Sequence, residues 1–148
     1  MQLYLVRHAQ SENNAAYDSG LKRYHHDPNL TEIGHKQADL LGNYLMDKQS
    51  WGVTHLYTSA MYRALKTAAP VSQALGLDPE VWIDIHEGGG LFLIDEITKA
   101  VQGFPGMNRK EIFDQFPDYI LPDLLADQGW WLPERGEEQY PDFAAGVL

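Results

Sequence analysis

The sequence predicts an α/β fold, a central and mostly parallel sheet flanked by helices. Three observations carry that expectation. Short apolar runs alternate with longer helical patterns, the arrangement that makes βαβ units. The 148 residues are enough for one hydrophobic core. With 44% apolar and 22% charged residues, the composition is that of an ordinary globular chain. It shows no internal repeat and no low-complexity segment.

The first run, QLYLVRH at residues 2–8, carries Leu3, Leu5 and Val6 as a buried strand would. A helical pattern, TEIGHKQADLLGNYLMDKQ, starts at Thr31, its expected N-cap, with Ala38, Leu41 and Leu45 on one stripe. THLYTSA at 54–60 reads as a second strand. From Ala60 a second helix reads AMYRALKTAAPVSQALG, with Met61, Ala64, Leu65, Ala68 and Leu75 on one face. Pro70 should kink or restart it and Gly76 should end it. VWIDI at 81–85 reads as a third strand. Residues 86–142 are richer in Gly, Pro, Trp and acidic residues, with one helix expected near 108–116. They are expected to cover a rim of a single domain spanning 1–148.

The net charge of −10 argues against non-specific nucleic-acid binding, which needs a basic surface. It leaves room for an anionic small substrate, because a pocket can be locally positive. With no cysteine there is no disulfide framework and no thiolate chemistry. No apolar run reaches the ~18 residues of a membrane span. The chain enters a strand-like segment at once, without the architecture of a signal peptide. A cytoplasmic location is the expectation.

Ligand sites of open α/β sheets form at the carboxyl ends of strands. Arg7 and His8 close the first run in LVRHAQSENN and Ser59 closes the second, so they should share a rim. Arg63 follows one turn into the second helix. Two guanidinium forks there could grip one phosphoryl group, with Asn14 adding an amide and Ser11 a hydroxyl. A neutral imidazole attacks phosphorus well, and neighbouring arginines would keep His8 neutral. A leaving alkoxide needs a proton donor. Glu87, in DIHEGGG after the third strand, is the best placed. The GGG run lacks the spacing of a P-loop. His25, His26 and Asp27 are adjacent but lack a partner motif such as H-E-x-x-H, so neither a metal nor a cofactor is expected.

These residues resemble those of the histidine phosphatase superfamily, the phosphoglycerate mutase-like proteins. VRHAQSENN is similar to its Arg-His-Gly opening, with Ala9 in place of glycine and Asn14 at the following asparagine. LTEIGHKQA at 30–38 and SAMYRALKTA at 59–68 are similar to its "LT..G..QA" and "S...R...TA" segments. Glu87 falls at its acidic position, and FPGMNRKEIFDQFPD and RGEEQYPDF resemble later segments. The resemblance implies a three-layer phosphoglycerate mutase-like fold. It also implies that His8 takes the phosphoryl group as phosphohistidine, held by Arg7, Arg63 and Asn14. Glu87 would then serve as acid to the leaving oxygen and base to the attacking water.

The resemblance also implies a second histidine in a late "SHG" motif, which none of His25, His26, His35, His55 and His86 matches. In the family it lies a little beyond the segment resembling PDFAAGVL. The expectation is therefore a C-terminally incomplete domain with an exposed edge prone to pairing with another chain.

The leading expectation is a metal-independent phosphomonoester hydrolase acting on a small phosphorylated substrate. The alternatives are phosphoglycerate mutase-type transfer and a non-catalytic phosphate-binding relative. A dinucleotide binder would need G-x-G-x-x-G after the first strand, and none is present. Specificity should come from residues 15–29, including Lys22, Arg23, His25 and His26, and from the covering segment, including Trp130 and Trp131. Association into a homo-oligomer is left open.

Overall fold

The computed structural model describes residues 2–21, 25–47, 51–125 and 127–137. In chain order it contains α1 (Glu12–Asp18), α2 (Glu32–Met46), β1 (Tyr57–Thr58), α3 (Tyr62–Leu75) and β2 (Glu80–Val81). A hairpin of β3 (Phe92–Ile94) and β4 (Val101–Gly103) follows, and then α4 (Arg109–Gln115). Short 3-10 turns lie at Ile83–Ile85 and Pro133–Arg135.

The expected βαβ unit is present. β1 and β2 pair in parallel, Tyr57 opposite Glu80 and Thr58 opposite Val81, with α3 as the crossover. An isolated parallel bridge adds Ile120 beside Glu80. The strands are shorter than their apolar runs, and VWIDI leaves the sheet after Val81 to make the 3-10 turn.

The first run departs most from expectation. Residues 2–8 form no regular secondary structure and pair with no strand among the described residues. Leu3, Leu5 and Val6, expected to be buried, are 73%, 87% and 57% exposed. Tyr4 stacks on Trp51 at 4.9 Å. Alternation and β-branching give a segment its preference, but a ladder also needs a neighbouring strand.

The helices follow their patterns closely. Thr31 caps α2 by accepting from Gly34 N, and Ala38 and Leu45 are buried. Met61, Leu65 and Ala68 of the predicted α3 face are buried, and Gly76 ends the helix at φ 65°. Pro70, expected to kink or restart α3, lies inside one continuous helix. An interior proline costs a helix about 3 kcal/mol in isolation. Tertiary packing offsets this: Val71 and Ala74 close a cluster with Leu45 of α2. Gly42 lets the backbone of Pro70 approach, since a Cβ there would sit 2.7 Å from the Pro70 carbonyl oxygen.

The main core joins α3 to the covering segment. Leu65, Met61 and Val81 pack with Leu91, Ile112, Phe116, Leu125, Trp130 and Trp131. The helix expected near 108–116 is α4, started by an Asn108–Glu111 capping box. The β3–β4 hairpin and α1 were not legible in the sequence pattern.

Candidate active site

The chain after His8 is held from two sides. On one side stands the start of α2. Thr31 N donates to Gln10 O at 3.0 Å, the Thr31 hydroxyl reaches Gln10 Oε1 at 2.7 Å, and Gln10 N donates to Gln37 Oε1 at 2.9 Å. Ala9, Leu30 and Ala38 form a small apolar cluster beneath. Gly34 completes the fit, because a Cβ there would meet Gln10 O at 2.1 Å. Each landmark of LTEIGHKQA thus has a physical task against residues 9–11. Gly34→Ala is expected to destabilise the fold by about 1–3 kcal/mol, since backbone must move to admit the methyl. A thermal melt checks it, and an unchanged melting temperature would contradict the close approach.

On the other side stands α3. Ala9 N donates to the Thr67 hydroxyl at 3.1 Å, and that hydroxyl donates to Arg63 O at 2.7 Å. The first amide of α3 is capped from a distance: Tyr62 N donates to Oδ1 of the buried Asp27 at 2.9 Å. Ser59, expected on the rim, accepts from Met61 N at 3.2 Å and shapes the entry to α3.

Four predicted residues interact here. His8 is half-buried, and its Nδ1 lies 2.7 Å from Ala9 O. A carbonyl only accepts, so Nδ1 carries the proton and Nε2 keeps its lone pair in the neutral ring. The His8 pKa is lowered from 6.5. Burial is the main cause, because it disfavours the imidazolium; the charges of Arg63 and Arg7 act the same way, against the Ala9 carbonyl and Glu87. Arg63 is buried, and its Nη2 donates to Glu87 Oε2 in a short ion pair. Its Nη1 is also buried and has no hydrogen-bond partner among the described residues. An orphaned guanidinium donor beside a neutral imidazole is a position for an anion.

A base whose pKa is lowered by folding contributes stability above its unfolded value, near 6.5. That contribution is lost as pH falls through the lower folded value. An NMR titration of the His8 ring should therefore show a midpoint below 6.5. A midpoint above that value would contradict the buried, arginine-flanked setting.

Two predicted ligands have other tasks. Ser11 is buried as the N-cap of α1: its hydroxyl accepts from Asn14 N and donates to Asn14 Oδ1. Its backbone N also donates to Asn14 Oδ1. The Ser11 hydroxyl, expected to meet a substrate, is thus engaged by Asn14. Asn14 keeps its Nδ2 amine as the group it can offer. Trp130 and Trp131 are core residues, with His86 packed against both. His25 stacks on His26, and His26 on Phe104 at 4.0 Å. Lys22 and Arg23, and the PDFAAGVL segment, lie outside the described residues.

Sequence reasoning assigned no role to Thr67, Gln37 or Asp27 at this site. Thr67 had a signal: a threonine four residues after Arg63 can bond back to its carbonyl and stay on the same face. Asp27 and Gln37 had none, because their partners are distant in sequence.

An arginine-flanked, proton-poor histidine in an α/β frame is an arrangement whose chemistry suits an anion. The chain belongs to the histidine phosphatase superfamily (branch 1), which it matches over residues 3–147. It is 43% identical over 75 residues to "Putative phosphoserine phosphatase 2" of Hydrogenobacter thermophilus, covering 51% of this chain and 34% of that protein. It is 36% identical over 129 residues to "Probable phosphoglycerate mutase GpmB" of Photorhabdus laumondii, covering 82% of this chain and 54% of that one. It thus spans between a third and about half of the length of these curated relatives. Among solved structures, mycobacterial glucosyl-3-phosphoglycerate phosphatase aligns at a TM-score of 0.51 and 22% identity, over 95% of this chain and 57% of that one. At that identity the likeness concerns the fold. No helix among the described residues is long and apolar enough to cross a membrane.

Proposed function

We propose that the protein is a metal-independent phosphomonoester hydrolase in which His8 accepts the phosphoryl group. The observation that carries this reading is the pairing of His8, with Nε2 unprotonated, and Arg63, whose buried Nη1 awaits an acceptor. Arg7, Arg63 and the Asn14 amine bind the phosphoryl oxygens, and Nε2 attacks phosphorus. The P–O bond to the leaving group breaks as Glu87 delivers a proton to that oxygen. Water, deprotonated by Glu87, then attacks phosphohistidine, releasing inorganic phosphate and restoring the imidazole. The arginines supply the charge stabilisation that a metal gives elsewhere.

Mutase-type transfer uses the same groups and differs in returning the phosphoryl group to the substrate. The glycine-rich HEGGGL stretch favours hydrolysis, since it is short after Glu87 and offers little to retain a bisphosphorylated intermediate. Residues 25–27 and the covering segment then shape the leaving-group side. The exposed apolar residues of 2–6 suit pairing with another chain, so self-association accompanies this reading.

The test is incubation with an aryl phosphate and with 3-phosphoglycerate in EDTA, following inorganic phosphate, isomer and acid-labile protein-bound phosphate. Free phosphate with transient labelling supports hydrolysis, and isomer without it supports the mutase. Inorganic phosphate that binds without turnover or labelling would leave a non-catalytic phosphate binder.

A further inference from the structure

We propose that Thr67 is a positioning residue for His8, acting through the backbone of Ala9. The proposal rests on the reading of His8 as phosphoryl acceptor.

The Thr67 hydroxyl has one proton and two lone pairs. The carbonyl of Arg63 can only accept, so the proton lies on that 2.7 Å contact. A lone pair is thereby turned to the Ala9 amide, 3.1 Å away. Ala9 is engaged at its other end too, since its carbonyl accepts from His8 Nδ1 at 2.7 Å. One peptide unit after another, the order runs Arg63 carbonyl, Thr67 hydroxyl, Ala9 amide, Ala9 carbonyl, His8 ring. The turn of α3 that carries the phosphate-facing guanidinium thus also sets the height and tautomer of the imidazole.

Among the described residues this is the one hydrogen bond that joins residues 7–11 to α3. Residues 2–8 pair with no strand there, so no β-ladder performs the same task. Thr67 is 6% exposed and Ala9 9%, so water does not readily replace the hydroxyl. Thr67 touches neither substrate nor reacting atoms in this scheme. Its effect is to keep Nε2 in line with a phosphorus atom held by Arg63.

Thr67→Val keeps the shape and removes the hydroxyl. It leaves the buried Ala9 amide unpaired and frees the peptide that holds the ring. With an aryl phosphate, kcat should fall about 10- to 100-fold, the cost of a displacement near 1 Å. KM and inhibition by inorganic phosphate should stay within about threefold, because the Arg63 side chain is untouched. Thr67→Ser should restore kcat. Proton–nitrogen NMR of the His8 ring should show the Nδ1-protonated tautomer in the wild type and in Thr67→Ser, and a mixture in Thr67→Val. Unchanged kcat and tautomer in Thr67→Val, or a Thr67→Ser variant as impaired as Thr67→Val, would overturn the proposal. If Thr67→Val does not fold, Thr67→Cys replaces it, and its weak thiol should give an intermediate kcat and tautomer balance. A wild type that neither turns over nor labels overturns the hydrolase reading instead, and the tautomer comparison still decides the role of Thr67.

Discussion

His8→Ala should abolish turnover of an aryl phosphate, lowering kcat by at least about 10³-fold, while the protein stays folded. The loss should be this large because the ring supplies the bond-forming atom. Neither Arg7 nor Arg63 can substitute, since a guanidinium stays protonated at neutral pH and has no lone pair to offer. The cost in stability should be small. The ring is half-buried and its hydrogen bond runs to its own neighbour, Ala9, so removing it opens no large void. Circular dichroism melts and phosphate release, measured on the same samples, check both halves. A folded His8→Ala protein that keeps a tenth of wild-type activity would dismiss His8 as the nucleophile.

Glu87→Gln should separate two roles of one carboxylate. Glu87 is the proposed proton donor, and without a bound anion it also pairs with Arg63. Its side chain is 64% exposed while that of Arg63 is 5% exposed. The pair is therefore anchored on the guanidinium, and the carboxylate is the partner free to swing away. A phosphoryl group must take the Nη2 contact from Glu87 and adds one at the open Nη1. Neutral glutamine competes less for the guanidinium, so inorganic phosphate should inhibit Glu87→Gln more tightly than wild type. Turnover should fall by about 10²- to 10⁴-fold for an alkyl phosphate, whose alkoxide needs the proton. For a nitrophenyl phosphate, whose leaving group departs as an anion, phosphorylation of His8 should slow far less, while hydrolysis of the common phosphohistidine, which uses Glu87 as base, should slow equally for both substrates. Equal losses in the rate of protein labelling on both substrates would show that Glu87 does not protonate the leaving group. Weaker inhibition by phosphate would show that its pairing with Arg63 does not mask the site.

Much of the site was legible because its chemistry is local. Arg7 and His8 are adjacent, and Arg63 lies one turn into a helix whose apolar face was plain, so residue type and spacing were enough. Ser11 was less legible. A serine three residues before Asn14 could serve a ligand or a helix cap, and the structure shows it buried as the cap of α1. Asp27 beside two histidines suggested metal chemistry only to be set aside. Its actual partner, the Tyr62 amide, is 35 residues away and leaves no mark in the sequence.

By itself the sequence determined what depends on neighbours along the chain: the cap at Thr31, the apolar stripes of α2 and α3, the stop at Gly76, the helix near 108–116, and the arginine–histidine pair. Only the tertiary structure decided what depends on contacts distant in sequence. Pro70 remains helical because α2 packs against it, and residues 2–8 form no strand because no partner lies beside them among the described residues. His8 is held through a threonine 59 positions away, since the Ala9 amide donates to the Thr67 hydroxyl of α3 at a separation of 58. Local propensities amount to a kcal/mol or less per residue. A buried hydrogen bond or a close-packed backbone contact is of that size or larger, so where the two disagree the long-range contact prevails.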